Sequence, residues 1–411
     1  MQNSFKSRKN AMGISRERVR DSNFELLRII AMFLIVLHHF SVHGLWAAGG
    51  SWVTEIPNHT VVIACLAIGG KVGVDLFVLI TGYFMVRQRF RAKSLFRIIA
   101  ESWFYAMVVL FAIFVYKPDA ITGSVIVQSV TPLVFLNWFV GVYAALYILI
   151  PFLNKLIFSM AHSAYKHLLV LLFIVFSLIP SIEGFPWLES KLGWFIFLYL
   201  LGGYIRLFNI KIRTESAVSI GMLCMIVLVV WTYAYYTQCI NINALQQFAP
   251  YQVYVASDSF VLTLLISISI FLLFNNINIG SISAVNIVSS AALGVYLLSD
   301  NDFVRSFLWD RFGNVYYSSA LSIIATGFVA SAVIYCVCMI IDFGRQRFIE
   351  APFFSLIDRH FPAFFSRIDK WMEKGLGNKE RDGIQGCTHD QSTSSCTTSS
   401  KECPDYYKND L

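Results

Sequence analysis

"NFELLRIIAMFLIVLHHF", residues 23–40, is apolar for most of its length, yet it contains Arg28 near its start and His38 and His39 near its end. The apolar run continues to about residue 44, and about 20 such residues suffice for a helix to cross the hydrocarbon core of a bilayer. Ionisable residues inside a span are energetically costly and usually face a cavity or a partner. The segment therefore predicts a transmembrane helix that carries functional polar groups.

The composition of the whole chain indicates a membrane protein. Hydrophobic residues make up 57% of the 411 positions and charged residues 14%, whereas a soluble domain carries about 25% charged residues. The pattern predicts an all-α polytopic bundle of about ten transmembrane helices. The apolar runs lie at roughly 24–44, 62–86, 95–116, 136–153, 167–180, 192–208, 216–236, 259–275, 288–300 and 319–341.

Lysine and arginine are distributed unequally between the predicted loops. If the N-terminus is cytoplasmic, most of the 32 basic residues fall in inner segments, and "RQRFRAKSLFR", residues 87–97, is the densest of them. The positive-inside rule then places both termini in the cytoplasm and the protein in a plasma membrane of bacterial type. The net charge of +7 thus reflects topology, and we expect no nucleic-acid partner.

Three segments follow from this pattern. We expect a basic cytoplasmic segment over residues 1–22, a transmembrane domain over 23–357 and a cytoplasmic tail over 358–411. The tail is rich in Ser, Thr and charge from about residue 375, which predicts disorder there. The eight cysteines show no CxxC or Cys/His spacing, so we expect neither a disulfide framework nor a metal site.

Arg28 and His39 lie on one face of the first predicted helix. They are eleven residues apart, which corresponds to about 1100°, roughly 20° beyond three full turns, and to about 16 Å along the axis. His43 shares this stripe, whereas His38 points about 80° away from Arg28. Arg28 could also be a snorkelling anchor paired with Glu25, and His39 a neutral histidine bonded to a neighbouring helix.

The second predicted helix, "GGKVGVDLFVLITGYFMV" (residues 69–86), places Lys71 and Asp75 one turn apart on one face. A carboxylate in so apolar a run must have a partner, and an intramembrane histidine or Lys71 is the natural candidate. An Asp–His pair would raise the basicity of the imidazole and fix its tautomer, as general-base catalysis requires.

These two segments resemble the integral-membrane acyltransferase 3 family. "RIIAMFLIVLHH" has the family's Arg, ten intervening residues and His, and "GVDLFVLITGYF" resembles its Gly-Val-Asp motif, with Thr81 in place of the usual serine. Weaker similarity extends the match over roughly residues 23–357. It includes "NWFVGVYAALYILIPFLN", "FLYLLGGYIR", "LGVYLLSDN" and "RQRFIEAPF".

The resemblance implies transfer of an acyl group, most often acetyl from cytoplasmic acetyl-CoA, to a hydroxyl of a cell-surface polysaccharide or its lipid-linked precursor. In this reading His39 is the general base or transiently carries the acyl group, and Asp75 orients it. The CoA phosphates are expected on arginines, and substrate contacts on polar residues of the spans. The residues are Arg28, Arg87, Arg89 and Arg91 for CoA, and His38, Lys71, Tyr296 and Ser299 for substrate.

Two questions remain open at this point. The family's ninth-span motif commonly reads Tyr-x-x-His, but Tyr296 is followed by Ser299, so the role of that histidine is lost here, moved to Ser299 or Asp300, or was never catalytic. Intramembrane ionisable residues would also serve a proton-coupled multi-spanning transporter, and a structural or regulatory membrane protein is a third reading. The oligomeric state is not indicated by the sequence.

Overall fold

The structure is a computed structural model, and it describes residues 21–46, 59–135, 137–183, 190–234, 257–313 and 317–375. These residues form helices joined by short connections, and no strand occurs among them. The all-α class predicted from the sequence is confirmed. The predictions for residues 1–20 and for the tail beyond residue 375 lie outside the described residues.

Fifteen labelled helices build the bundle. The first eight are α1 (Ser22–His39), α2 (Thr60–Met85), α3 (Ala92–Tyr116), α4 (Gly123–Val130), α5 (Trp138–Ser159), α6 (His162–Phe173), α7 (Lys191–Leu207) and α8 (Thr214–Ala234). The others are α9 (Val261–Asn276), α10 (Ser283–Ser290), α11 (Ala292–Ser299), α12 (Asp302–Gly313), α13 (Ala320–Arg345), α14 (Ala351–His360) and α15 (Phe364–Gly375). Three of them continue into π-helical turns, namely α1 into Phe40–Trp46, α6 into Ile174–Leu178 and α13 into Gln346–Glu350.

Seven helical stretches in the described part of the chain are long and apolar enough to cross a membrane. They are Ser22–Leu45, Val61–Met85, Ala92–Tyr116, Trp138–Ser159, His162–Ser181, Thr214–Ala234 and Ala320–His360. Ser283–Ser299 and Asp302–Phe312 would add an eighth as one span broken by a bend of 77°. The other apolar runs correspond to α7 and α9, which have 17 and 16 residues. About ten spans, and cytoplasmic termini, therefore stay predictions.

The centre of the bundle is formed by α1, α2 and α7, whose backbones approach closely. A Cβ atom on Gly82 of α2 would overlap the carbonyl oxygen of Tyr199 in α7, and one on Gly202 of α7 would overlap the carbonyl oxygen of Leu79. Small residues permit such contacts between helices in lipid. This packing fixes the rotation of α2, and with it the direction in which the polar residues of α2 point.

The π-helical turn Phe40–Trp46 at the end of α1 shapes the polar stripe of that helix. A π-turn widens the helix locally and occurs frequently at functional sites. Here it follows His39 directly, and the rings of His39 and His43 lie with their centroids 5.4 Å apart. The stripe that the sequence places on α1 thus ends in two adjacent imidazoles.

Candidate functional site

A cavity of about 370 Å³ lies beside the polar stripe of α1; we call it the central cavity. Its walls come from α1, α2, α5, α11 and α12, with one residue of α3. Five of the residues predicted from the sequence line it: Arg28, His38, His39, Lys71 and Tyr296. Asp75 and Ser299 are not among its described lining residues.

His39 and Asp300 form the polar centre of this cavity. The Nε2 atom of His39 lies 3.3 Å from Oδ1 of Asp300, and both residues are buried, at 5% and 4% exposure. The Nδ1 atom of His39 is buried and has no hydrogen-bond partner within the described part of the chain. A carboxylate beside Nε2 favours the tautomer that carries its proton there. The lone pair of Nδ1 is then free to accept a proton.

Two further cationic or basic groups converge on the same carboxylate. The Nη2 atom of Arg305 donates to Oδ1 of Asp300 at 2.9 Å and to its backbone carbonyl at 3.1 Å. The Nε2 atom of His43 lies 3.6 Å from Oδ1. A guanidinium at this distance stabilises the ionised carboxylate. Asp300 is therefore held as an anion next to His39.

The same geometry raises the question of a metal ion. One ligand atom from each of His39, His43 and Asp300 can be chosen so that all lie within 4.8 Å of one another, and imidazole with carboxylate is a common donor set for zinc. However, the guanidinium of Arg305 already donates to the Asp300 oxygen that would bind the ion. Two cations on one carboxylate oxygen repel each other, so the cluster fits acid–base chemistry better than metal binding.

Asp75 does not orient His39, contrary to the prediction. Its Oδ1 accepts a hydrogen bond from Nε1 of Trp194 at 2.9 Å, and its Oδ2 accepts one from Oγ of Ser267 at 3.1 Å. Asp75 is fully buried between α2, α7 and α9. Among the described residues it forms no ion pair with Lys71 either. The close packing of α2 on α7 turns Asp75 away from α1, and Asp300 is the carboxylate at His39.

The remaining predicted substrate residues differ in their access to the cavity. The hydroxyl of Tyr296 is buried without a hydrogen-bond partner in the described residues, and its ring centroid lies 6.4 Å from that of His39. Nδ1 of His38 lies 2.7 Å from the carbonyl oxygen of Ala67. The hydroxyl of Ser299 is buried away from the cavity lining, so this residue is not in the predicted position for a substrate contact.

A second cavity, of about 700 Å³, opens next to the first; we call it the arginine cavity. It shares Arg28, Thr81 and Tyr143 with the central cavity. The hydroxyl groups of Thr81 and Tyr143 lie 3.1 Å apart and, with Arg28, form the junction between the two spaces. The two cavities are therefore adjacent along α1, with these three side chains between them.

Of the four arginines predicted to bind CoA, two pair with carboxylates and two form no ion pair among the described residues. Arg28 is paired with Glu25 at 2.5 Å, as one of the sequence-based readings proposed. Arg89 lies 3.7 Å from Glu373 and, with Arg87 and Arg91, lines a neighbouring cavity of about 250 Å³, but it does not line the arginine cavity with Arg28 as predicted. Arg87 and Arg91 do line the arginine cavity.

Arg206 completes the arginine cavity and was missed in the sequence. Its Nη1 donates to the hydroxyl of Tyr83 at 2.8 Å, and its guanidinium lies 4.6 Å from the centroid of that ring. Within the described residues, Arg87, Arg91 and Arg206 form no ion pair. The one sequence signal for Arg206 is its place at the end of the apolar run "FLYLLGGYIR".

Comparison with known proteins identifies the family of the chain. A family model described as an acyltransferase domain matches residues 21–343. No curated protein and no solved structure matches the chain. The matched range contains every residue that lines the central and arginine cavities. The chain therefore belongs to the acyltransferase 3 family, a family of membrane acyltransferases.

Proposed function

We propose that this protein transfers an acyl group, most often acetyl, from cytoplasmic acyl-CoA to a hydroxyl of a cell-surface polysaccharide or of its lipid-linked precursor. Family membership favours an enzyme over the proton-coupled transporter that the sequence left open. The donor and the acceptor are part of the proposal. The observation that carries it is the pair of adjacent cavities, one rich in arginine and one containing His39 beside Asp300.

The arginine cavity supports CoA as the donor. Guanidinium groups bind phosphate through paired, charge-assisted hydrogen bonds. Arg87, Arg91 and Arg206 line this cavity without a carboxylate partner among the described residues, so their donors are available to an anion. The pantetheine arm of CoA would pass the junction at Thr81 and Tyr143 and bring the thioester to His39, about 16 Å from Arg28 along α1.

The central cavity supports direct transfer. Nδ1 of His39 accepts the proton of the acceptor hydroxyl while the hydroxyl oxygen bonds to the carbonyl carbon of the thioester. The carbon–sulfur bond breaks, and the proton on His39 passes to the departing thiolate of CoA. Asp300 holds the imidazole in its tautomer and stabilises the imidazolium that forms. Arg305 keeps Asp300 ionised.

The acceptor is expected at the end of the central cavity away from Arg28. Helix α5 begins at Trp138 and runs past Tyr143 toward Tyr147, whose hydroxyl lies 3.4 Å from the carbonyl oxygen of Arg91. Trp138 therefore lines the end opposite the arginine cavity. An indole ring offers an apolar face on which a sugar ring can pack, and Lys71 and Arg305 line the same cavity as hydrogen-bond donors.

The test uses the full-length protein in membrane vesicles that contain cell-envelope glycans, supplied with acetyl-CoA labelled in the acetyl group. We expect label in base-labile esters of glycan with wild type and its loss with His39→Ala. The matched control is Ser299→Ala, which removes a buried hydroxyl outside the cavity lining. Ester label that persists at the wild-type rate in folded His39→Ala protein would refute the mechanism. Label that enters the vesicle lumen without ester formation would instead indicate transport.

A further inference from the structure

The last described helix, α15, has two chemically different faces. The residues that face the protein are buried or half-buried at helical spacing: Phe365, Ile368, Asp369, Met372 and Glu373. The opposite face is exposed and consists of Phe364, Arg367, Lys370, Trp371 and Lys374. Both acidic residues of the helix thus face the protein, and all three cations face away from it.

The two acidic residues of α15 bind the connection between α2 and α3 and the first residue of α3. Oδ1 of Asp369 accepts a hydrogen bond from the backbone N–H of Ala92 at 2.7 Å, and Oε1 of Glu373 lies 3.7 Å from Arg89. The three outward cations form no ion pair with any described residue. Segregation of charge therefore leaves one surface of α15 strongly basic and unneutralised.

The position of α15 follows from the helices that lead to it. Helices α13 and α14 run antiparallel to α3, as shown by ion pairs that join Arg345 to Glu101, Arg97 to Glu350 and Lys93 to Asp358. The stretch Ala320–His360 has 41 residues and so measures about 62 Å, roughly twice the thickness of the hydrocarbon core. Its end therefore lies beyond the core, level with the start of α3.

We propose that the outward face of α15 binds anionic phospholipid headgroups of the leaflet on the side of the arginine cavity. Trp371 is 72% exposed and Phe364 is 48% exposed, and they share their face with three cations. Aromatic rings beside lysine and arginine on one helix face are typical of helices that lie in a membrane interface. Clustered cations of this kind are attracted to anionic lipids.

This contact has a consequence for the donor site. The inward face of α15 holds Arg89 and the first turn of α3, and the same short connection contains Arg87 and Arg91, which line the arginine cavity. Binding of anionic lipid to α15 therefore also holds Arg87 and Arg91 in position for the acyl donor. This second step rests on the proposed function, whereas lipid binding by α15 does not.

The test places the full-length protein in nanodiscs of phosphatidylcholine, with or without phosphatidylglycerol, and follows the fluorescence of Trp371 as the difference between wild type and Trp371→Phe. We expect a shift to shorter wavelength and quenching by brominated lipid when phosphatidylglycerol is present. The variant Arg367→Gln/Lys370→Gln/Lys374→Gln should lose most of this response. The control Lys155→Gln/Lys211→Gln/Arg213→Gln removes the same charge from exposed positions elsewhere and should retain it.

Other outcomes overturn the proposal. A Trp371 signal that is quenched by aqueous acrylamide and unaffected by brominated lipid in both nanodiscs would show a solvated face. Protection that depends on protein concentration rather than on lipid would assign the face to a second copy of the chain. If lipid binding is confirmed but phosphatidylglycerol leaves the KM for acetyl-CoA unchanged, only the coupling to the donor site is refuted.

Discussion

Replacement of Asp300 by asparagine is the sharpest test of the site. Asparagine keeps the volume of Asp300 but removes the charge that lies 3.3 Å from Nε2 of His39 and 2.9 Å from Arg305. General-base catalysis contributes about 10²–10⁴-fold to a rate, and it depends on the tautomer and the imidazolium that this carboxylate stabilises. We therefore expect kcat to fall by about 10²–10⁴-fold, or about 2.7–5.5 kcal/mol of transition-state stabilisation.

The KM for acetyl-CoA should change by less than about threefold in this variant. The substitution leaves the arginine cavity intact, and the contacts there bind the donor equally in the ground state and the transition state. The assay is the initial rate of CoA thiol release by full-length protein in vesicles with cell-envelope glycan, normalised to folded protein by size-exclusion chromatography. Asp75→Asn is the matched control, since an amide can still accept from Trp194 and donate to Ser267. Its kcat should stay close to wild type.

Two results would contradict this reasoning. A folded Asp300→Asn protein with wild-type kcat would show that the contact with His39 is not used in catalysis. A loss in Asp75→Asn as large as that in Asp300→Asn would restore a catalytic role for Asp75, despite its bonds to Trp194 and Ser267.

Three further predictions concern the donor site, the helix packing and the metal question. Arg206→Gln should raise the KM for acetyl-CoA by roughly tenfold or more, because a hydrogen bond to a charged group contributes about 1.5–3 kcal/mol. The control Lys155→Gln, at an exposed position that lines neither cavity, should leave the KM nearly unchanged, and equal effects in initial-rate titrations would count against the arginine cavity. Gly82→Ala should lower the free energy of unfolding by about 1–3 kcal/mol, because the added methyl group overpacks against α7. Gly123→Ala should leave it unchanged, because its Cβ meets no atom within 4 Å. Thermal unfolding of the two variants in detergent measures the difference. Dialysis against a chelator should leave activity intact because Arg305 competes with any cation at Asp300, and loss of activity restored by zinc would refute this.

The features that the sequence predicted correctly are those set within one helix. Arg28 and His39 line the same cavity because both belong to α1, and the geometry of a helix fixes their relation whatever surrounds it. The same applies to most of the apolar runs, which coincide with single helices, whereas the run 288–300 covers the end of α10 and all of α11. Their number as complete spans was less predictable, since α7 and α9 are short and α10 to α12 bend sharply.

The features that the sequence missed depend on how helices are rotated and joined. Spacing placed Lys71 and Asp75 on one face, but only the contact of α2 with α7 decides that Asp75 meets Trp194 instead of His39. Asp300 lies where α11 ends and α12 begins; the sequence named it, with Ser299, as a possible replacement for the family's ninth-span histidine, but its contact with α1 is a tertiary contact that spacing could not predict. Arg89 pairs with Glu373 and does not line the arginine cavity. Glu373 belongs to α15, and no sequence motif indicated that this helix contacts the connection between α2 and α3.

Helix α1 sets the geometry of the proposed reaction because this single helix carries both Arg28, at the junction of the two cavities, and His39, the proposed base. Arg28 at the junction and His39 at the centre cannot change their separation without distortion of the helix, so the distance between the junction of the two cavities and the base is fixed by about three turns of backbone hydrogen bonds. Sites built on helices are held more accurately than sites on loops. Arg87, Arg91 and Arg206, which would hold the phosphates, lie outside α1. Substitution of these arginines should therefore alter donor binding without moving His39 relative to the junction of the two cavities.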